Sequence, residues 1–209
     1  ALAACLVDLD DDRLDALLDG ERADTAPDEP LVLLVGGDVS GVQDFIYTIT
    51  ARGAAGALRG RSFYLEALTE AVARYVLRRL ELPITNLIYA GGGHFYLLAP
   101  GDAEADLDAV RAEISRKLLD HHGGALYLAL GCSPVTAAGF DRKKFGEHWL
   151  GTSQAMSAAK RRRFSELDTD TLHNRVFGPT GIGGEEEGEC QVCHREEHVH
   201  TEREGTEDE

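Results

Sequence analysis

An α+β fold is predicted by three observations on this 209-residue chain. Short apolar runs of strand length stand at 31–36, 86–90, 95–99 and 126–130. The stretches between them repeat their apolar residues at helical spacing. Glycine clusters mark where one kind of segment gives way to the other. The resulting order is β-α-α-β-β-α-β, the split βαβ or ferredoxin-like plan: an antiparallel sheet with helices on one face. C-terminal helices and a partial zinc-ribbon segment complete the predicted architecture.

Each element has its own signal. Residues 1–30 are an acidic linker or the end of a preceding element, with Leu14, Leu17 and Leu18 as a short helical stripe. The apolar run 31–36 is a central strand. Ser40 and Gln43 fit a capping box, and Val42, Phe45, Ile46 and Ile49 recur at helical spacing. The glycine- and alanine-rich stretch 51–60 reads as a loop. A long helix is predicted from about Ser62 to Leu80, with Leu65, Leu68, Val72, Tyr75 and Val76 on one face. Pro83 follows it. Residues 86–90 and 95–99 flank three glycines and form a hairpin. Asp102 is the expected N-cap of the next helix, which carries Leu107, Val110, Ile114 and Leu118 and stops at Gly123-Gly124. Residues 126–130 are the last strand. The domain thus runs over 31–140, with a helical extension at 141–177 and a flexible acidic segment at 178–209.

The formal charge is −16, carried mainly by the ends. Residues 1–30 carry −8 and residues 181–209 carry −9, which leaves the middle at about +1. Acidic ends of this kind read as solvated segments, and a neutral body still has room for a local basic patch. No apolar run approaches the ~20 residues of a membrane span. The N-terminus lacks a positive region before its apolar residues, so no secretory signal is read. A missing initiator Met suggests a start inside a longer gene product. Cys5 and Cys132, each alone among apolar residues, read as buried small hydrophobes. Nothing points to an oxidising compartment, and a cytoplasmic location is expected.

The candidate site begins at Asp38, in the stretch from Gly37 to Ile46. A carboxylate at the end of a buried strand, followed by free N–H groups at a helix start near Ser40 and Gly41, suits a metal and a phosphate. The central hairpin, from Gly91 through Gly92, Gly93 and His94 to Phe95, lies beside that strand end and supplies no carboxylate. Histidine is a poor magnesium ligand. A complete catalytic metal site is therefore not expected; a nucleotide cradle is, with glycines that let a ligand approach the backbone. The bland alternative is that Asp38 and Ser40 cap a helix and the glycines only turn the chain. Lys160, Arg161, Arg162 and Arg163 form a basic run suited to RNA backbone, or an ordinary solvated helix face. Trp149 and Phe164 beside it read as core.

Three segments carry a resemblance. The stretch from Gly37 to Ile46 resembles the GD-[IV]-SG-[IV]-Q-x-FI signature of the large polymerase/cyclase subunit of type III CRISPR effectors. Leu58 to Leu65 is similar to that family's LRGRSFYL segment, and Tyr89 to Phe95 to its degenerate first-palm hairpin. The likeness covers roughly 31–195 and favours the Csm-type (III-A) branch. It implies two palm domains with a zinc-binding segment between them, synthesis of cyclic oligoadenylates from ATP with Mg or Mn when target RNA is bound, and an HD nuclease that cuts single-stranded DNA. It implies as partners the other effector subunits, guide RNA, target RNA and a second palm, with no membrane. The chain departs from the pattern: it has no HD dyad, since no aspartate stands beside His121-His122, and no GGDD motif. It is therefore expected to be the first palm, inactive alone, with no catalytic residue of its own. Carried over by position, Asp38, Ser40, Gly41, Ser62, Gly91, Gly92, Gly93 and His94 would line an ATP pocket, with Asp38 as a magnesium ligand. Arg59 and Arg61 would approach phosphate or form a helix-start salt bridge.

Cys190 and Cys193, followed by His194, admit three readings: half of a zinc site, a c-type haem attachment sequence, or a chance pair. The resemblance favours zinc, with the second pair beyond Glu209. The rival to an enzyme domain is a non-catalytic RNA-binding or scaffold module. An RNA-recognition fold shares the element order and would use aromatics on its third strand, where Phe95 and Tyr96 stand.

Overall fold

A computed structural model of the chain describes residues 1–12, 15, 30–47, 54–140 and 144–178. Its elements are α1 (Leu2–Cys5), β1 (Val32–Ser40), α2 (Val42–Tyr47), α3 (Ala54–Arg79), β2 (Leu87–Gly91), β3 (His94–Pro100), α4 (Glu104–His122), β4 (Tyr127–Val135) and α5 (Phe145–Arg161). The four strands form one sheet in the order β2-β3-β1-β4, and every neighbouring pair is antiparallel.

Side-chain alternation along β1 divides the molecule into layers. Leu33, Val35 and Val39 join Phe95, Leu97 and Ala99 of β3 and Leu126, Leu128 and Leu130 in the main core. Helices α3 and α4 close that core with Leu65, Val72, Val76, Leu107, Val110, Ile114 and Leu118. The opposite parity of β1 faces α5. There Thr152 Oγ1 donates to the Leu34 carbonyl at 3.0 Å. A Cβ at Gly36 would lie 2.8 Å from Thr152 Cγ2 and 2.9 Å from Met156 Sδ. Helices therefore cover both faces of the sheet. Cys5 joins Val32, Leu34, Leu98 and Val135 in a separate cluster and accepts a hydrogen bond from Asn86 Nδ2 at 3.1 Å. Cys132 is half-buried.

Four elements differ from the sequence expectation. The first strand does not stop at residue 36 but continues through both glycines to Ser40. Gly37 lies opposite Phe95, whose ring would stand 2.1 Å from a Cβ there. The two glycines thus clear room above and below a strand instead of turning it. Residues 54–60, expected as loop, form the first two turns of the 26-residue α3. Ala54, Ala55, Ala57, Leu58 and Arg59 favour helix, and Gly56 and Gly60 meet nothing within 4 Å. The N-cap of α4 is Ala103 rather than Asp102, with no side-chain cap. The chain turns one residue later because Ala103 is buried and donates its N–H to Pro100. The last strand runs on to Val135. Helix α4 does stop at Gly123, and the hairpin turns through Gly92 (φ 61) and Gly93 (φ 84), a positive-φ pair that suits a two-residue turn.

Leu14, Leu17, Leu18, Ile49, Cys190, Cys193 and the segment 181–209 lie outside the described residues. No helix among the described residues is long and apolar enough to cross a membrane.

Gly37→Val is expected to lower unfolding stability by about 2–4 kcal/mol, since β1 would have to move away from Phe95. Gly56→Ala, in open space within α3, is expected to raise it by about 0.5–1 kcal/mol. Urea denaturation of both variants checks the pair.

Candidate functional site

Asp38 is the focus of the described polar groups. It lies inside β1, opposite His94 of β3 and Ala129 of β4, not in the loop that follows. Its side chain points to the α5 face and is 12 % exposed. His94 Nε2 stands 3.0 Å from its Oδ2, and the Lys160 ammonium at the end of α5 pairs with the same oxygen. The other His94 nitrogen, Nδ1, lies 3.0 Å from the Gly92 carbonyl. Both ring nitrogens therefore face acceptors, and both bonds form together only on a doubly protonated ring.

The hairpin is held to this point by its backbone as well. Val39 N–H donates to the Gly93 carbonyl at 2.8 Å, and a Cβ at Gly93 would sit 3.8 Å from Val42 Cγ2. Gly92 is open, with nothing within 4 Å of a Cβ. Asp38, Ser40, Gly91 to His94 and Lys160 thus gather at one end of the sheet. Gly41 adopts φ 90, and a Cβ there would stand 1.9 Å from the Ala125 carbonyl oxygen. It lets the chain pass the start of β4. Helix α2 is six residues long, and its N–H groups do not amount to an anion site.

The remaining candidates stand apart from Asp38. Arg61 donates to the Phe45 carbonyl and lies over the Phe45 ring, 5.3 Å from its centroid. It fixes α2 against α3. Arg59 and Ser62 are exposed on α3. Phe45, Tyr64 and His122 form an aromatic group below them, with Tyr64 Oη 2.8 Å from His122 Nε2. Arg161 and Arg162 are exposed at the end of α5. Arg163 donates to the Gly124 carbonyl at 2.6 Å.

A magnesium ion at Asp38 does not fit these residues. It needs about six oxygen ligands in near-octahedral array, whereas Asp38 is one carboxylate whose Oδ2 already carries an ammonium and an imidazole. No group of three or more His, Cys, Asp or Glu able to hold a metal occurs among the described residues.

Two features escaped the sequence reading. Lys160 and Asp38 are joined across more than a hundred residues. The only signal was the four-residue spacing of Thr152, Met156 and Lys160 together with Gly36 two residues before Asp38. Trp149, expected in the core, is 36 % exposed and stacks on Tyr96 at 4.1 Å between centroids. Phe164 is buried as expected. Burial first, and the Asp38 charge second, push the Tyr96 phenol above its ordinary value, while a hydrogen bond with Trp149 works against them. The interior holds its proton more tightly than the unfolded chain does. The resulting stability is present below about pH 10 and is lost as pH rises further. Tyr127 acts in the same direction, through burial and then Glu166.

The comparisons agree on one family. Residues 31–176 match the model described as Csm1 subunit domain B. The CRISPR system single-strand-specific deoxyribonuclease Cas10/Csm1 (subtype III-A) of Methanocaldococcus jannaschii is 33 % identical over 198 residues, which takes in 90 % of this chain and 24 % of that protein. Its Mycobacterium tuberculosis counterpart is 36 % identical over 189 residues, 83 % of this chain and 23 % of that protein. This chain therefore spans about a quarter of the length of those relatives. Among solved structures, a Csm1–Csm4 cassette in complex with cA3 superposes with TM-score 0.64 at 30 % identity, over 80 % of this chain and 24 % of that one. The cassette in complex with AMPPNP gives 0.63 at 31 %, over 78 % and 23 %.

Lys160→Met is expected to cost about 1–2 kcal/mol, because it leaves a largely buried carboxylate with one partner. Combined with Asp38→Asn it should cost less than the sum of the single changes, as a double-mutant cycle in urea would read. Tyr96→Phe is expected to flatten the fall in stability above pH 10, measured by denaturation between pH 8 and 11.

Proposed function

The chain belongs to the Csm1 domain B family, and from that premise we propose that it is an ATP-binding first palm of the type III signalling subunit. In this reading it contributes one half of the site for cyclic oligoadenylate synthesis in antiviral defence and is inactive without a second, GGDD-bearing palm. One observation carries the reading. The end of β1, the open glycine hairpin and the end of α5 converge on Asp38, so backbone and cationic groups meet where a triphosphate needs them. The cassettes that superpose on this chain with bound cA3, cA4 or AMPPNP support the same ligand class.

Asp38, Ser40, Gly41, Gly91, Gly92, Gly93 and His94 form the nucleotide side of this half-site. In this reading Ser62 adds to the nucleotide side, and Arg59, Arg61, Lys160, Arg161 and Arg162 serve phosphate or RNA backbone. Magnesium or manganese arrives with ATP and is held by carboxylates of the second palm, which also carry the phosphoryl transfer. This domain positions the nucleotide and neutralises its charge. The palm spans 31–140, α5 and the turns after it form its helical extension, and Cys190 and Cys193 are half of a structural zinc site. The other effector subunits, guide RNA and target RNA are its partners in the cytoplasm.

The RNA-recognition alternative is the weaker reading. Phe95 is fully buried and the partly buried Tyr96 stacks on Trp149, which argues against a base-stacking platform on the third strand.

Calorimetric titration with ATP and magnesium tests the reading. Adenine-selective binding by this chain that weakens at least tenfold in Asp38→Ala, Ser40→Ala is the expected result. Equal affinity in the two proteins would exclude these residues from the site.

A further inference from the structure

The misfit between Asp38 and magnesium has a cause that can be read from the packing of α5. Thr152, Met156 and Lys160 stand four residues apart on one face of that helix and meet Leu34, Gly36 and Asp38, two residues apart on β1. The helix can lie this close because a Cβ at Gly36 or Gly131 would strike it; at Gly131 the Met156 backbone nitrogen would be 2.6 Å away. Lys160 is thus delivered to Asp38 by the body of the helix, not by a chance excursion of a surface side chain.

We propose that Lys160 is a tethered counter-cation, standing at Asp38 where a divalent ion would otherwise bind, so that this half-site takes an anionic ligand without a metal of its own. The charge count supports this. One carboxylate faces one ammonium and one imidazole, a balance that is neutral or positive and so attracts phosphate more than a second cation. Tyr96, the other titratable group near Asp38, is held in its neutral form by burial and by Asp38 itself. No second carboxylate gathers at Asp38 among the described residues. That the anion is a nucleotide phosphate rests on the function proposed above; the exclusion of metal does not.

Manganese is the probe. Titrated into the chain, Mn²⁺ should leave the His94 imidazole proton signals no broader than those of other exposed histidines. In Lys160→Met it should broaden His94 selectively, because Asp38 has then lost its ammonium partner and His94 lies beside it. Lys160→Arg, which keeps the cation, should behave as the parent. Lys160→Gln replaces Lys160→Met if the latter does not fold. Selective broadening of His94 in the parent chain would overturn the proposal, as would its absence in a folded Lys160→Met or Lys160→Gln. ATP affinity in excess EDTA and in magnesium should agree within about threefold, and a loss greater than tenfold in EDTA would also overturn it. If ATP bound in neither buffer, the nucleotide reading would fall, and the manganese result would still decide the role of Lys160.

Discussion

Helix α5 lies directly on β1 because residues 36 and 131 carry no side chains. Most of the architecture depends on that contact. It covers the second face of the sheet, anchors Thr152 to a strand carbonyl and brings Lys160 to Asp38. It also seats Trp149 over Tyr96. A methyl group at Gly131 would meet helix backbone, which cannot rotate aside as a side chain can. The close approach therefore requires glycine there, and the site inherits its geometry from it.

With helices on both faces, the central strand β1 has no open surface on which to bind a ligand. What remains is the end of the strands, where β1, the hairpin turn and α5 finish together. Lys160, Arg161 and Arg162, at the close of α5, stand at that end.

Much of the fold was legible because its signals are local. Alternating and helical periodicities located every strand and the long helices, and the glycine hairpin and the stop at Gly123 come from turn chemistry. The failures share a cause. Gly36 and Gly37 look like a turn in sequence because glycine breaks strands on average. Here they are strand residues because Phe95 and Met156, both distant in sequence, occupy the space above and below them. The alanines at 54, 55 and 57 outweighed Gly56 and Gly60. At the site, Asp38 and His94 were legible together, since a hairpin beside a strand end is a short-range inference. Lys160 was legible only as one of four adjacent basic residues, because choosing among them requires the rotation of α5 on the sheet. The contact of Arg61 with Phe45 was not legible, because it joins two helices whose packing the sequence does not show.

Helix and strand advance by different steps. Four residues of α5 climb about 6 Å, and two residues of β1 extend about 6.7 Å. The two scales run side by side like a vernier, slipping by roughly 0.7 Å at each mark. From Thr152 to Lys160 the slip is small enough for a long, flexible side chain to absorb. One residue inserted or removed between these marks would turn everything beyond it by about 100° and swing the ammonium away from the sheet. The length of this stretch is therefore as constrained as its composition, even through Gln154 and Ser157, which are exposed.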